Sequence, residues 1–128
     1  MTYIYFIMPV GSDPQYKRKR ELLRRVSEDT GRNFFFPLER QNSFSFDATR
    51  THLTNASLVI ADLSLERPSC YFELGMALAL GTPVCMIAAT GTVLHQTATS
   101  EPVLFYSDLD EYSAIVSRAV SSLHQTSR

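Results

Sequence analysis

Two acids dominate the chemistry open to this chain. Asp62 closes the apolar run Ala56-Ser-Leu-Val-Ile-Ala-Asp62, and Glu73 sits in Tyr71-Phe-Glu-Leu-Gly-Met-Ala-Leu-Ala-Leu-Gly-Thr-Pro83. With Ser69 as N-cap, Glu73 falls at the end of a first helical turn, beside backbone N–H groups that help keep a carboxylate ionised. Such an acid can act as a nucleophile or pair with a cationic transition state. The plain alternative is a glutamate favoured only by the helix dipole. Asp62 ends an apolar strand and needs a partner, because an unpaired buried carboxylate is costly. It could orient a sugar hydroxyl, donate a proton, or cap the loop that follows.

Other groups are placed to assist. Arg40 and Arg67 stand on loops at the same edge and could grip a phosphate or carboxylate, or be solvated loop charges. Asp47 would cap a short helix from a loop that faces the pocket. His52, His95 and His124 share no metal-ligand spacing, although His95 lies on an irregular stretch that could reach the crevice. Cys70 and Cys85 form neither a metal nor a disulfide pattern; Cys85 suits the core, and Cys70 has no activating His or Asn nearby in sequence. Met8-Pro-Val-Gly-Ser-Asp13 carries a single glycine, which excludes a dinucleotide or P-loop fingerprint, and no nucleophile elbow occurs. No metal or cofactor is expected.

The elements that must position these groups alternate regularly. An apolar strand over Tyr3–Val10 precedes a helix over about Gln15–Glu28, with Leu22, Leu23 and Val26 inward and an end near Gly31. A second strand spans Asn33–Leu38, and a short helix runs from Asp47 to about Asn55. A third strand covers Ser57–Leu63, followed by a helix over Ser69–Leu80 that Gly81 stops. Strands at Pro83–Ala89 and Val103–Tyr106 flank the Thr-rich stretch from Thr90 to Glu101. Asp108 and Glu111 open a last helix with Tyr112, Ile115, Val116, Ala119, Val120 and Leu123 on one face.

Strand–helix alternation means parallel pairing through right-handed crossovers. The expected fold is α/β: a three-layer open sheet of five mainly parallel strands in the flavodoxin-like order 2-1-3-4-5. Ligands in such sheets lie beyond the carboxyl ends of the strands, where the order reverses. That rule gathers Pro9–Ser12, Leu38–Arg40, Asp62–Pro68 and Glu73 around one crevice.

At 128 residues and 45% hydrophobic content, the chain is expected to form a single domain, 1–128, with an ordinary core. A net charge of -1 gives no basic field, so neither direct nucleic-acid nor membrane binding is expected. The basic cluster Lys17, Arg18, Lys19, Arg20, Arg24 and Arg25 is expected on the solvated face of the first helix. The apolar amino-terminal run is too short to span a membrane, and a cytoplasmic location is expected.

Ile4-Tyr-Phe-Ile-Met-Pro9, Ala56–Asp62 and, above all, Tyr71-Phe-Glu-Leu-Gly-Met-Ala-Leu-Ala-Leu-Gly-Thr-Pro83 resemble the nucleoside 2-deoxyribosyltransferase superfamily. That superfamily includes deoxynucleoside-monophosphate N-glycosidases and Toll/interleukin-receptor-like relatives. The resemblance implies cleavage of an N-glycosidic bond by a glutamate that attacks the anomeric carbon, with Glu73 at the matching position. It also implies a dimer or larger homo-oligomer. Departures from the pattern are Arg67, where family enzymes carry Asp or Ser six residues before the glutamate, Thr49 with Asp47 nearby in place of an aligned acid, and Pro9.

The expected function is therefore hydrolysis or ribosyl transfer on a nucleoside, nucleotide or NAD-type ligand. Glu73 and Asp62 would be its catalytic residues, and Tyr5, Pro9, Gly11, Arg40, Asp47, Arg67 and Ser69 its substrate contacts. The rival is a non-catalytic Toll/interleukin-receptor-like module for nucleotide sensing or assembly.

Overall fold

The structure, a computed structural model, describes residues 2–37, 45–95 and 102–126. Five strands form one sheet of order β2-β1-β3-β4-β5, parallel at every pairing. They are β1 (Ile4–Ile7), β2 (Phe34–Phe35), β3 (Leu58–Asp62), β4 (Val84–Ala89) and β5 (Val103–Tyr106). The helices are α1 (Tyr16–Thr30), α2 (Phe46–Asn55), α3 (Pro68–Ala79) and α4 (Leu109–Thr126). The expected fold class and strand order are thus the observed ones.

Alternation along each strand splits the core into two layers. Ile4, Phe6, Leu58, Ile60 and Ile87 face α1 and α4, meeting Leu23, Val26, Tyr112, Val116 and Val120. Tyr5, Ile7, Val59, Ala61 and Met86 face α2 and α3, meeting Leu53, Cys70, Leu74 and Ala77. β1 and β3 are buried along their whole length, as expected of central parallel strands covered on both faces.

The helix ends show how local chemistry sets the frame. Gly31 closes α1 at φ 70°, a left-handed conformation suited to glycine, and its N–H reaches Ser27 O. The Asp108 carboxylate accepts from Glu111 N at 2.8 Å, while Glu111 Oε1 accepts from Ser107 N at 2.5 Å, so α4 opens on the expected acidic pair.

Three expectations change. Ser45, not Asp47, caps α2 by accepting from Ala48 N; Asp47 lies within the first turn. Pro68 occupies the first position of α3 and Arg67 the cap position, so Ser69 lies inside the helix and Glu73 in its second turn. A proline at that position loses no hydrogen bond, because its N–H would be unpaired anyway. The basic cluster also fails to stay on the solvated face. Lys17, Arg18, Arg24 and Arg25 are exposed, whereas Lys19 is 2% exposed. Among the described residues no helix is long and apolar enough to cross a membrane.

Candidate active site

Glu73 projects from α3 toward the buried aromatic Tyr5 of β1. The Tyr5 hydroxyl donates to Glu73 Oε2 at 2.6 Å. Tyr5 is fully buried, and burial, Glu73 and Tyr3 all push its phenol up, so it stays a proton donor across the ordinary pH range. Burial also raises the Glu73 carboxyl above the ordinary glutamate range, while the Tyr5 hydrogen bond pulls the other way. A second-turn position contributes little helix-dipole help, since that effect fades within the first turn. Glu73 is therefore a carboxyl with one oxygen anchored and a strengthened hold on its proton, rather than the ionised first-turn acid expected.

The surroundings of Glu73 are apolar. It closes a slot of about 10 Å³ lined by Phe6, Met8, Val10, Tyr16, Phe36 and Pro37. That volume holds about one water. Met8 and Val10 also line an adjoining crevice of about 230 Å³ with Pro9, Gly11, Ser12, Arg67 and Ser69. Four of the expected contacts (Pro9, Gly11, Arg67 and Ser69) meet in this crevice. The exposed Arg67 guanidinium makes no hydrogen bond or ion pair among the described residues, so its five donors face solvent and the crevice.

Asp62 is on the other side of the sheet. It shares a face with Leu58 and Ile60 and is 1% exposed. Its Oδ1 accepts from Ser64 N at 3.1 Å and Ser64 Oγ at 2.7 Å. Its Oδ2 accepts from Lys19 Nζ and from the Tyr106 hydroxyl, both at 3.0 Å. Lys19 Nζ also reaches Asp13 Oδ2 at 2.7 Å and the Tyr106 hydroxyl at 2.8 Å, which uses all three of its protons. Burial would push the Lys19 ammonium down, but Asp62, Asp13 and Tyr106 together push it up. The tertiary structure brings Asp62 to a closed polar cluster and leaves Glu73 apart from it.

No protein-family model matches this chain, and no curated protein does. Solved structures do match. The 2-deoxyribosyltransferase of Bacillus psychrosaccharolyticus is 22% identical, with a TM-score of 0.63 over 88% of this chain and 90% of that one. The 2-deoxyribosyltransferase of Leishmania mexicana is 16% identical at a TM-score of 0.64, covering 92% of this chain and 98% of its own. A CMP N-glycosidase of Clostridium botulinum is 18% identical at 0.63, covering 88% and 97%. The fold is that of the 2-deoxyribosyltransferases.

Within this deoxyribosyltransferase fold the remaining expected residues are dispersed. Asp47 is exposed and pairs with Arg50 at 3.3 Å, a surface pair within one helix turn. His95 is exposed, stands edge-on to Tyr71 at 5.5 Å, and lines neither crevice. Arg40 lies outside the described residues. Cys70 is buried in α3, and burial, with Glu73 and Asp62 adding, pushes its thiol up to about 12, so it is no nucleophile at neutral pH. A hollow of about 520 Å³ lies between β2 and α1 near Tyr3, Arg20 and Phe34, and holds none of the expected site residues.

Sequence reasoning missed Lys19, Ser64 and Tyr106. Ser64 carried a usable signal, a hydroxyl two residues after a strand-ending acid, which suits a side-chain-to-backbone turn. Lys19 carried none, because a basic run hides its one inward member. Missed too was Leu65 at φ 68°, the sole left-handed non-glycine residue among those described, in the loop between Asp62 and Glu73. Such a backbone costs on the order of 1 kcal/mol or more and persists where its surroundings hold it.

Proposed function

We propose that this protein cleaves the N-glycosidic bond of a nucleotide, with Glu73 as nucleophile. The observation that carries this is the Tyr5–Glu73 hydrogen bond of 2.6 Å beside an apolar slot at the carboxyl edge of the sheet. Tyr5 anchors one carboxylate oxygen and leaves the other for the anomeric carbon. As the base departs with the bond pair, positive charge builds on the sugar, and the Glu73 carboxylate forms a bond to that carbon. Water then releases the sugar, or a second base accepts it. The raised proton affinity of Glu73 sets the acid limb of activity above the ordinary glutamate range, since only the ionised form attacks.

The crevice beside Glu73 favours a phosphorylated substrate. Arg67 has donors to spare and Ser12 and Ser69 supply hydroxyls, a set suited to a phosphate. Of the fold neighbours, the one named as a CMP N-glycosidase supports this substrate class, and the two named as 2-deoxyribosyltransferases support the transfer chemistry alone. In this reading Asp62 acts from the far side of the sheet, holding the wall of the crevice rather than the sugar.

The reading includes self-association. α3 carries a single charge, Glu73, and its outer side shows Phe72 at 50% and Leu80 at 40% exposure, with Gly75 and Ala79 also exposed. Phe46 of α2, half exposed, stands 6.5 Å from Phe72. A second copy approaches closely there over the small residues. Light scattering at micromolar concentration should give a dimer mass or larger; a monomer mass removes this part.

A second reading, nucleotide binding without turnover in a sensing or assembly module, draws on the closure of the Glu73 slot to about 10 Å³. One experiment separates the two. Wild type and Glu73→Gln are incubated with deoxynucleosides, their monophosphates, CMP and NAD, and free base is followed by chromatography. We expect release from monophosphates by wild type and a loss of about 10³-fold in the variant. Equal release by both proteins would remove Glu73 from the chemistry. Binding of a monophosphate without any release favours the second reading.

A further inference from the structure

The crevice of Pro9, Gly11, Ser12, Arg67 and Ser69 has two walls from distant parts of the chain, and both run back to one buried cation. The first wall, the loop after β1, ends in Asp13. Asp13 Oδ1 accepts from Gln15 N at 2.8 Å and so shapes the entry to α1, while its Oδ2 takes the Lys19 ammonium at 2.7 Å. The second wall, the loop after β3, starts at Ser64, whose N–H and hydroxyl are both held by Asp62 Oδ1. Ser64 Oγ also accepts from Ala89 N of β4 at 2.8 Å, and Tyr106 of β5 donates to Asp62 Oδ2 at 3.0 Å. Directly after Ser64 comes the left-handed Leu65, then Arg67 and Ser69.

Lys19 is the link between these walls. Its side chain is 3% exposed, and those of Asp13 and Asp62 are 6% and 2% exposed. The ammonium lies 5.2 Å from the ring centres of both Tyr106 and Tyr112. Without Lys19, two buried carboxylates on opposite walls would repel each other, and the ends of β1 and β3 would lose their only described ionic tie. None of these atoms lines the crevice itself, so the cluster sets where the walls stand without contact to a ligand.

We propose that Lys19 is a positioning residue that fixes the width of the nucleotide crevice, by clamping the loop after β1 to the loop after β3 through Asp13 and Asp62. This rests on the nucleotide-cleaving function proposed above for its kinetic consequence, but the geometry of the clamp stands apart from turnover. The clamp acts on binding more than on the chemical step, because Glu73 and Tyr5 belong to the opposite face of the sheet.

The test compares wild type, Lys19→Met and Asp13→Asn. Methionine keeps the length of the side chain without its charge; asparagine keeps the acceptor for Gln15 N and weakens the same link from the other side. With deoxynucleoside monophosphates and CMP as substrates, Lys19→Met should raise KM roughly tenfold or more while kcat falls less than threefold, since displaced walls act first on placement of the ligand. Asp13→Asn should move KM in the same direction by a smaller factor, and it carries the test should Lys19→Met not fold. Amide hydrogen exchange, which needs no turnover, should speed up in residues 9–13 and 64–69 and stay unchanged in α2 and the central strands. Exchange accelerated throughout the sheet, or a folded Lys19→Met with wild-type KM and wild-type exchange in both loops, would overturn the proposal. Locally faster exchange with no base release from any substrate keeps the clamp and discards the enzymatic function.

Discussion

Asp62 and Glu73 stand at the carboxyl edge of one sheet, separated in sequence by a single short loop, yet they occupy opposite electrostatic settings. Asp62 is sealed among four hydrogen bonds, one of them from a buried ammonium, with nothing left to offer a ligand. Glu73 has one phenol donor and an apolar slot, and burial makes its charge costly. An acid whose lone pairs are all taken can only hold structure. One that is half anchored and poorly solvated in its charged form can do work when a cationic centre arrives. The count of partners, not the residue type or its closeness to a sheet edge, separates a carboxylate that can only brace the fold from one with an oxygen left to offer.

Exchanging the roles is the most severe way to break this contrast. Asp62→Ala leaves Lys19 with one buried partner fewer, and loss of one member of a buried ion pair costs about 3–5 kcal/mol. Urea unfolding of Asp62→Ala should show that loss, while the protein that remains folded keeps a kcat within about tenfold of wild type, as expected for a group that touches no reacting atom. A stable Asp62→Ala protein with kcat abolished would reverse the assignment of brace and reactive group.

A gentler cut removes only the anchor. Tyr5→Phe deletes the donor to Glu73 and should lower kcat roughly 10- to 100-fold, the range for a hydrogen bond to a charged group. That bond pulls the Glu73 carboxyl down, so its removal should also move the acid limb of the pH–rate profile to higher pH. An unmoved limb would mean that Tyr5 does not set the proton affinity of Glu73.

The smallest effect is thermodynamic. Burial makes the folded state hold the Glu73 proton more tightly than the unfolded state does. Between the ordinary glutamate range and the raised value, stability is therefore lost as pH rises. Glu73→Gln has no charge to bury, and its carbonyl oxygen can still accept from Tyr5. Its melting temperature should match wild type at acid pH and exceed it by at most a few degrees at neutral pH. Calorimetry that finds Glu73→Gln less stable at neutral pH would show that the charged carboxylate is better solvated than its setting implies.

Much of this architecture is legible in the sequence. Strand–helix alternation and fully apolar runs at Ile4–Ile7 and Leu58–Ala61 led to the parallel sheet and its order, because only covered central strands tolerate such runs. The acidic opening of α4 was readable as well, since caps are local. The caps of α2 and α3 were misplaced by two residues each: Ser45 and Asp47 are both good cap types, and Pro68 competes with Ser69 for the start of α3. Glu73 stood out through its sequence neighbours. Its partner Tyr5 lies on β1, 68 residues away in sequence, and nothing beside Tyr5 in the sequence marks it as that partner.

The amino-acid pattern alone specifies the layers of this protein and the two acids delivered to the carboxyl edge of its sheet. Hydrophobic periodicity and turn chemistry are local, and they suffice for that much. Which face of the sheet each acid serves is set by long-range packing. Side chains alternate along β3, so Asp62 turns toward α1 and finds Lys19, while Glu73 comes from α3 on the other side and finds Tyr5. That choice depends on which helix packs over which face, a long-range outcome that neither acid's neighbours in sequence encode.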